Sequence, residues 1–141
     1  MSRYQQKAQI RASVHCAWTV LADFERWPEW NSSVIRIEPL GRKPLGLGSR
    51  FLIHQPKLRP AYWVITEWEP EHRFVWESAS PAVAAVGSHV LETRGEGCEL
   101  TLDLYFKGLL GGVAGFFGGR LVKRYMRLEA EGLKARSEGS V

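Results

Sequence analysis

The side chains able to move a proton, attack a substrate or hold a metal are few in this chain and widely scattered. His15, His54, His72 and His89 belong to no His/Cys/Asp cluster with metal-ligand spacing, so no metal site is expected. Cys16 and Cys98 lie far apart and read as buried free thiols rather than a disulfide. There is no nucleophile elbow, and the glycines at 111–119 follow a predicted strand without the Lys-Ser/Thr ending of a phosphate-cradling loop. No cofactor is expected. His15, His54 and His72 fall near predicted element ends, where exposure is the rule, whereas His89 falls inside a strand. What remains is acid–base chemistry by His89, with Tyr62 or Tyr105 as proton donor. Tyr105 shares the outward parity of Asp103, which counts against it. His89 is therefore the one catalytic candidate, and whether any reaction occurs stays open.

The other unusual feature is aromatic. Six tryptophans occur in 141 residues, and "DFERWPEWNSS" at 23–33 packs two of them around a proline. Rings of this size are either core filler or the wall of a hole.

Some function classes are excluded by bulk properties. At 45% hydrophobic and 24% charged, the chain has the composition of an ordinary globular domain. A chain of this length buries roughly 68–70% of its unfolded surface, and 1–141 is expected to form a single domain. No apolar leader and no run of about 18 apolar residues occurs, so a cytoplasmic protein without a membrane span is expected. The net charge of +4 does not point to specific nucleic-acid binding. Its clearest expression is Arg120, Lys123, Arg124 and Arg127, one stripe of a helix whose other side carries Phe117, Leu121, Val122, Tyr125, Leu128 and Leu133. A solvated face explains that stripe, leaving a weak peripheral contact with acidic lipid or RNA as the alternative. Oligomeric state, monomer or homodimer, is open.

The elements that position these residues follow from periodicity. Residues 3–11 alternate loosely as an opening strand. Ser13 offers an N-cap to a helix with Val14, Ala17, Trp18 and Leu21 on one face, and a second helical turn spans Phe24 to Trp27, capped by Asp23 and stopped by Pro28. From Val34 onward, short runs of period two ("SVIRIEPL", "GSRFLIHQ", "AYWVITEWE", "RFVWESA", "GSHVLETR", "CELTLDLYF") are joined by turns too short for crossover helices. The prediction is an α+β fold: an antiparallel sheet of about seven strands closed by a long amphipathic helix ending near Ser137. Unbroken alternation sends Phe51, Ile53, Trp63, Ile65, Phe74, Trp76, His89, Leu91, Leu100, Leu102 and Leu104 to the helix-covered face. Arg50, Arg73, Glu92 and Asp103 go to the other, with Val64, Val75 and Val90.

Four stretches carry a family resemblance: "VHCAWTVLADFERWPEWNSSV" at 14–34, "LGLGSRF" at 45–51, "VITEWEPEHRFVWES" at 64–78 and "GLKARSE" at 132–138. Together they resemble the START-related, polyketide cyclase and lipid-transport superfamily (SRPBCC), whose relatives include the birch pollen allergen. The resemblance implies a helix-grip fold: a curved sheet wrapped around the long C-terminal helix, with a cavity between them. It implies a START-like domain that binds, and in some relatives transports, a hydrophobic or amphipathic small molecule such as a lipid or polyketide. A polyketide cyclase or dehydratase acting in the same cavity is the rival. An interaction module contacting membrane, ribosome or chaperone through the basic helix face is the third reading. The expected ligand-binding residues are Trp27, Trp30, Phe51, Ile53, Trp63, Ile65, Phe74, Trp76, His89, Leu91, Leu102 and Leu104, with the indole N–H groups of Trp27, Trp30, Trp63 and Trp76 as donors. Phe116 and Phe117, set in a glycine-softened helix start, complete the set as a gate.

Overall fold

A computed structural model describes residues 3–42, 44–79, 84–108 and 111–139, those at 111–118 by their backbone alone. Strand β1 (Arg3–Ile10) is followed by α1 (Val14–Ala22) and a 3-10 helix (Phe24–Glu29). A meander comes next: β2 (Arg36–Leu40), β3 (Arg50–His54), β4 (Ala61–Glu69), β5 (Arg73–Ala79), β6 (Ala84–Arg94) and β7 (Gly97–Lys107). Helix α2 (Gly111–Ser137) closes the chain. The seven strands form one curved antiparallel sheet, ordered β1-β7-β6-β5-β4-β3-β2. Sequence neighbours pair throughout except at β1, which adds to β7 from Arg3↔Tyr105 to Ile10↔Cys98.

Local chemistry explains the short helices. The Ser13 hydroxyl accepts the Cys16 N–H at 3.0 Å, capping α1, and Ala17, Trp18 and Leu21 turn inward. In the 3-10 helix the expected cap is not made. The Asp23 carboxylate instead pairs with Arg26 at 3.3 Å, because the i to i+3 bond from Arg26 N to Asp23 O already draws the two residues together. Nor does Pro28 stop this helix. It forfeits one N–H, but its fixed φ suits the turn, and the chain continues to Glu29.

The inward positions of β3, β5, β6 and β7 are as alternation expects, with Phe51, Ile53, Phe74, Trp76, His89, Leu91, Leu100 and Leu102 buried, although Val75 and Val86 of the opposite parity are buried as well. It breaks in β4. A bulge between Ile65 and Glu67 shifts the register so that Trp68 lies opposite Phe74 and packs inward, while Glu67 and Glu69 meet Arg73 outside.

Helix α2 lies on the sheet with Met126, Ala130, Leu133 and Ser137 buried and Arg120, Lys123, Arg124 and Arg127 exposed. Leu121 and Leu128, expected on the covered side, are only half-buried. Gly132 sets how closely the helix approaches. A Cβ there would stand 1.9 Å from the Trp30 carbonyl oxygen, so only glycine lets α2 seat on the segment after the 3-10 helix. Among the described residues no helix is long and apolar enough to cross a membrane. Cys16 and Cys98 are both free.

Candidate functional site

Between the inner face of the sheet and α2 lies a pocket of about 190 Å³. At ~30 Å³ of liquid volume per water, that is room for about six waters, well beyond an ordinary packing void. It is also smaller than the ~300–1,000 Å³ typical of sites for drug-sized ligands.

Its walls come from opposite ends of neighbouring strands. β3 supplies Ile53 and β4 supplies Trp63, from the half of each strand away from the bulge. Trp76 comes from β5, His89 from β6, and Leu102 and Leu104 from β7, with Trp27 reaching in from the 3-10 helix. Gly87 makes room beside them: a Cβ there would come within 3.0 Å of Trp76 Nε1, so a larger residue would press that indole out of position. From α2 come Val122, Tyr125, Met126 and Glu129.

The loop after β3 forms part of the rim. Gln55 Nε2 donates to the Ser33 carbonyl at 3.2 Å, and the Tyr125 hydroxyl donates to the Pro56 carbonyl, so this loop is tied both to the segment after the 3-10 helix and to α2. Burial pushes the Tyr125 phenol above its usual range. Leu58, 49% exposed, borders the pocket from this loop and marks where it meets solvent.

The polar pole of the pocket is His89 and Glu129. His89 Nε2 lies 3.0 Å from Glu129 Oε2, with side chains 5% and 15% exposed. The approach is at ion-pair distance but lacks hydrogen-bond alignment, and both Glu129 Oε2 and His89 Nδ1 are buried without a hydrogen-bond partner. Glu129 Oε1 accepts a long bond of 3.5 Å from Asn31 Nδ2, and Asn31 is itself held by Ser33, whose hydroxyl donates to Asn31 Oδ1 at 2.6 Å. The imidazole is fixed in its plane by Phe74, stacked at 4.1 Å between centroids and 9° between planes. Trp76 meets it edge-on at 5.4 Å.

Of the residues expected to bind a ligand, Trp27, Ile53, Trp63, Trp76, His89, Leu102 and Leu104 border the pocket. Trp30, Phe51, Ile65, Phe74 and Leu91 are buried but are not among its walls. The side chains of Phe116 and Phe117, and with them the expected gate, lie outside the described residues. One expected donor is already engaged. Trp27 Nε1 donates to the Leu21 carbonyl at 2.8 Å, because the indole must satisfy its N–H inside the core on which it packs. The remaining histidines are elsewhere: His15 pairs with Glu71 at 2.7 Å, His54 with Glu38 at 2.8 Å, and His72 Nδ1 contacts the Leu91 carbonyl at 3.2 Å. Tyr62 is exposed.

Glu129 escaped the sequence reading although a signal existed. It stands three residues after Met126, seven after Val122 and four before Leu133, an acid on the covered stripe of an amphipathic helix. Ser33, Val34 and Gln55 fall within the runs expected as strands but lie outside β2 and β3, in the connecting segments, and Leu58 comes from the loop after β3.

The family model described as polyketide cyclase/dehydrase and lipid transport matches residues 1–138. No curated protein matches the sequence. Solved structures share the fold at low identity. The protein TTHA0849 from Thermus thermophilus superimposes with a TM-score of 0.78 at 18% identity, covering 99% of each chain. A START superfamily protein from Mycobacterium smegmatis gives 0.75 at 16%, again with 99% of each chain covered. The Zhui aromatase/cyclase from a Streptomyces species gives 0.75 at 15%, covering 97% of this chain and 93% of its own.

Proposed function

The chain belongs to the polyketide cyclase/dehydrase and lipid transport family, and from that premise we propose that it binds, and carries, a hydrophobic or amphipathic small molecule in the pocket between the sheet and α2. In this reading residues 1–141 act as one START-like unit in the cytoplasm. The observation that carries it is the pocket: indole and leucine walls around a buried histidine–glutamate pair, the combination of apolar lining and few convergent polar groups that small-molecule sites use. Trp63 is half-buried and borders the pocket, so its contact area becomes fully useful only when something occupies the space.

Calorimetric titration with fatty acids, isoprenoid alcohols and naphthols tests this. Saturable binding of at least one class is expected, weakened about tenfold or more in Trp63→Ala. If no class binds, or if Trp63→Ala binds as well as the wild type, the reading is wrong.

The His89–Glu129 contact favours a second reading, a cyclase/dehydratase-type enzyme. His89 would take a proton from an activated carbon of a poly-β-keto chain and Glu129 would stabilise the resulting imidazolium. The new C–C bond would form at a carbonyl whose oxygen accepts a proton, with the pocket supplying orientation. Under that reading His89→Gln abolishes turnover of aromatic polyketide precursors while they still bind. Absence of turnover by the wild type across such precursors retires it.

A further inference from the structure

The charge inventory of the pocket is one-sided. Its ionisable lining groups, among the described residues, are His89, Glu129, Asp103 and Tyr125, and no lysine or arginine borders it. The Asp103 carboxylate is engaged by Arg3 at 3.2 Å and Gln5 at 3.0 Å, and the Tyr125 hydroxyl by Pro56. Glu129 and His89 are left to face a guest. Among the described residues His89 is the one titratable base at ion-pair distance from the Glu129 carboxylate, and the third member of the network, Asn31, is a neutral amide.

A carboxylate guest placed here would meet a carboxylate within largely apolar walls, with one imidazole, among the described residues bordering the pocket, as its counter-charge. Like-charge approach of this kind discriminates against the wrong partner strongly. A neutral hydroxyl meets no such penalty. It can donate to Glu129 and accept from the His89 N–H, pairing both groups with one atom. The flat walls of Trp27, Trp63 and Trp76 and a volume of about 190 Å³ suit a compact ring system rather than a long acyl chain.

Resting on the binding reading above, we propose that Glu129 is a specificity residue that admits a compact aromatic guest bearing a neutral hydroxyl and rejects its carboxylate counterpart. The test compares 2-naphthol with 2-naphthoate, equal in ring system and opposite in head group, by isothermal titration calorimetry near neutral pH. The wild type binds naphthol about tenfold or more tightly than naphthoate. Glu129→Gln, nearly the same shape without the charge, brings the two within about threefold, chiefly by tightening naphthoate. Glu129→Asp retains the charge and keeps the preference.

Naphthoate binding the wild type as tightly as naphthol would mean that an imidazolium governs the pole, and would overturn the inference, as would a preference that survives in Glu129→Gln. Both results leave the binding reading intact. Failure of both probes to bind the wild type sinks the inference together with the reading of the pocket as an aromatic-binding site. The wild-type comparison needs no variant, so a misfolded Glu129→Gln does not rescue the inference.

Discussion

The two ends of the sheet are lined by the same kind of residue and are finished differently. At one end the start of β3, the end of β4 and the start of β5 present Phe51, Trp68 and Phe74, and here α1 and the 3-10 helix bring rings of their own. Phe24 lies 4.6 Å from Phe51 and 5.3 Å from Phe74 between centroids, and Trp18 lies 5.1 Å from Trp68, so the space is filled. At the other end Ile53, Trp63, Leu102 and Leu104 face α2, which offers Val122 and Met126, and a pocket remains. Large rings do not by themselves prop a sheet and helix apart; at the first end they interlock at ordinary interior density. The vacancy depends on the cover. Where α2 alone spans the sheet, offering Val122 and Met126 while its one described aromatic ring on the pocket, Tyr125, is drawn to the Pro56 carbonyl at the rim, the same walls enclose a hole.

This comparison is most directly broken at Phe24, a fully buried ring in the filled end. Phe24→Ala removes a side chain packed on every side, and a loss of about 4 kcal/mol in urea unfolding is expected. A loss near 1 kcal/mol would mean that the filled end is no better packed than the pocket. Gly132→Ala comes next. Its Cβ would collide with backbone, the Trp30 carbonyl, so α2 must lift at the end where it is seated most closely, costing about 3 kcal/mol. A neutral result would show that helix seating does not define the closed end.

Much of this architecture is legible in the sequence. Period-two runs joined by short turns can only make an antiparallel meander, and parity alone placed Phe51, Phe74, Trp76 and His89 on the covered face, where they are buried. Parity failed where its premise failed. The β4 bulge inserts one residue into the count, so Trp68, an odd number of positions from the inward Trp63 and Ile65, nevertheless turns into the core. Which rings fill space and which border a void was not legible, because that depends on what faces them across the interior. Trp30 and Trp27 are three residues apart, yet the first is pressed beneath Gly132 and the second borders the pocket. Glu129 was overlooked because a charged residue in a helix reads as solvent-facing until its neighbours at one-turn spacing are checked.

At the pocket end the expected stability effect is smaller. Trp63 is half-buried and borders open space, so Trp63→Ala should lower stability by only about 1 kcal/mol while reducing ligand affinity. That split, stability spared and binding lost, is the reverse of the pattern expected for Phe24→Ala at the filled end. A stability loss equal to that of Phe24→Ala would erase the distinction between the two ends.

The smallest expected effect comes from the clip that holds the last turn of α2 to the end of β1. Glu138 accepts the Arg11 N–H at 2.7 Å and the Lys134 ammonium at 2.7 Å, while Lys134 also donates to the Gln9 carbonyl at 2.5 Å. The Arg11 N–H, followed by Lys134, holds the Glu138 carboxyl below its ordinary value of 4.5. Because the folded value is the lower one, the stabilisation from this group is fully present above pH 4.5 and is lost as pH falls through the folded value. Denaturant midpoints should therefore be lower for Glu138→Gln than for the wild type near neutral pH, with the difference closing once the wild-type Glu138 carboxyl is protonated in the folded state. Ligand affinity should not move, since the clip lies at the filled end. A midpoint difference that persists unchanged into acid would assign the effect to the shape of the side chain rather than its charge, and a change in affinity would show that the two ends of the sheet are coupled through α2.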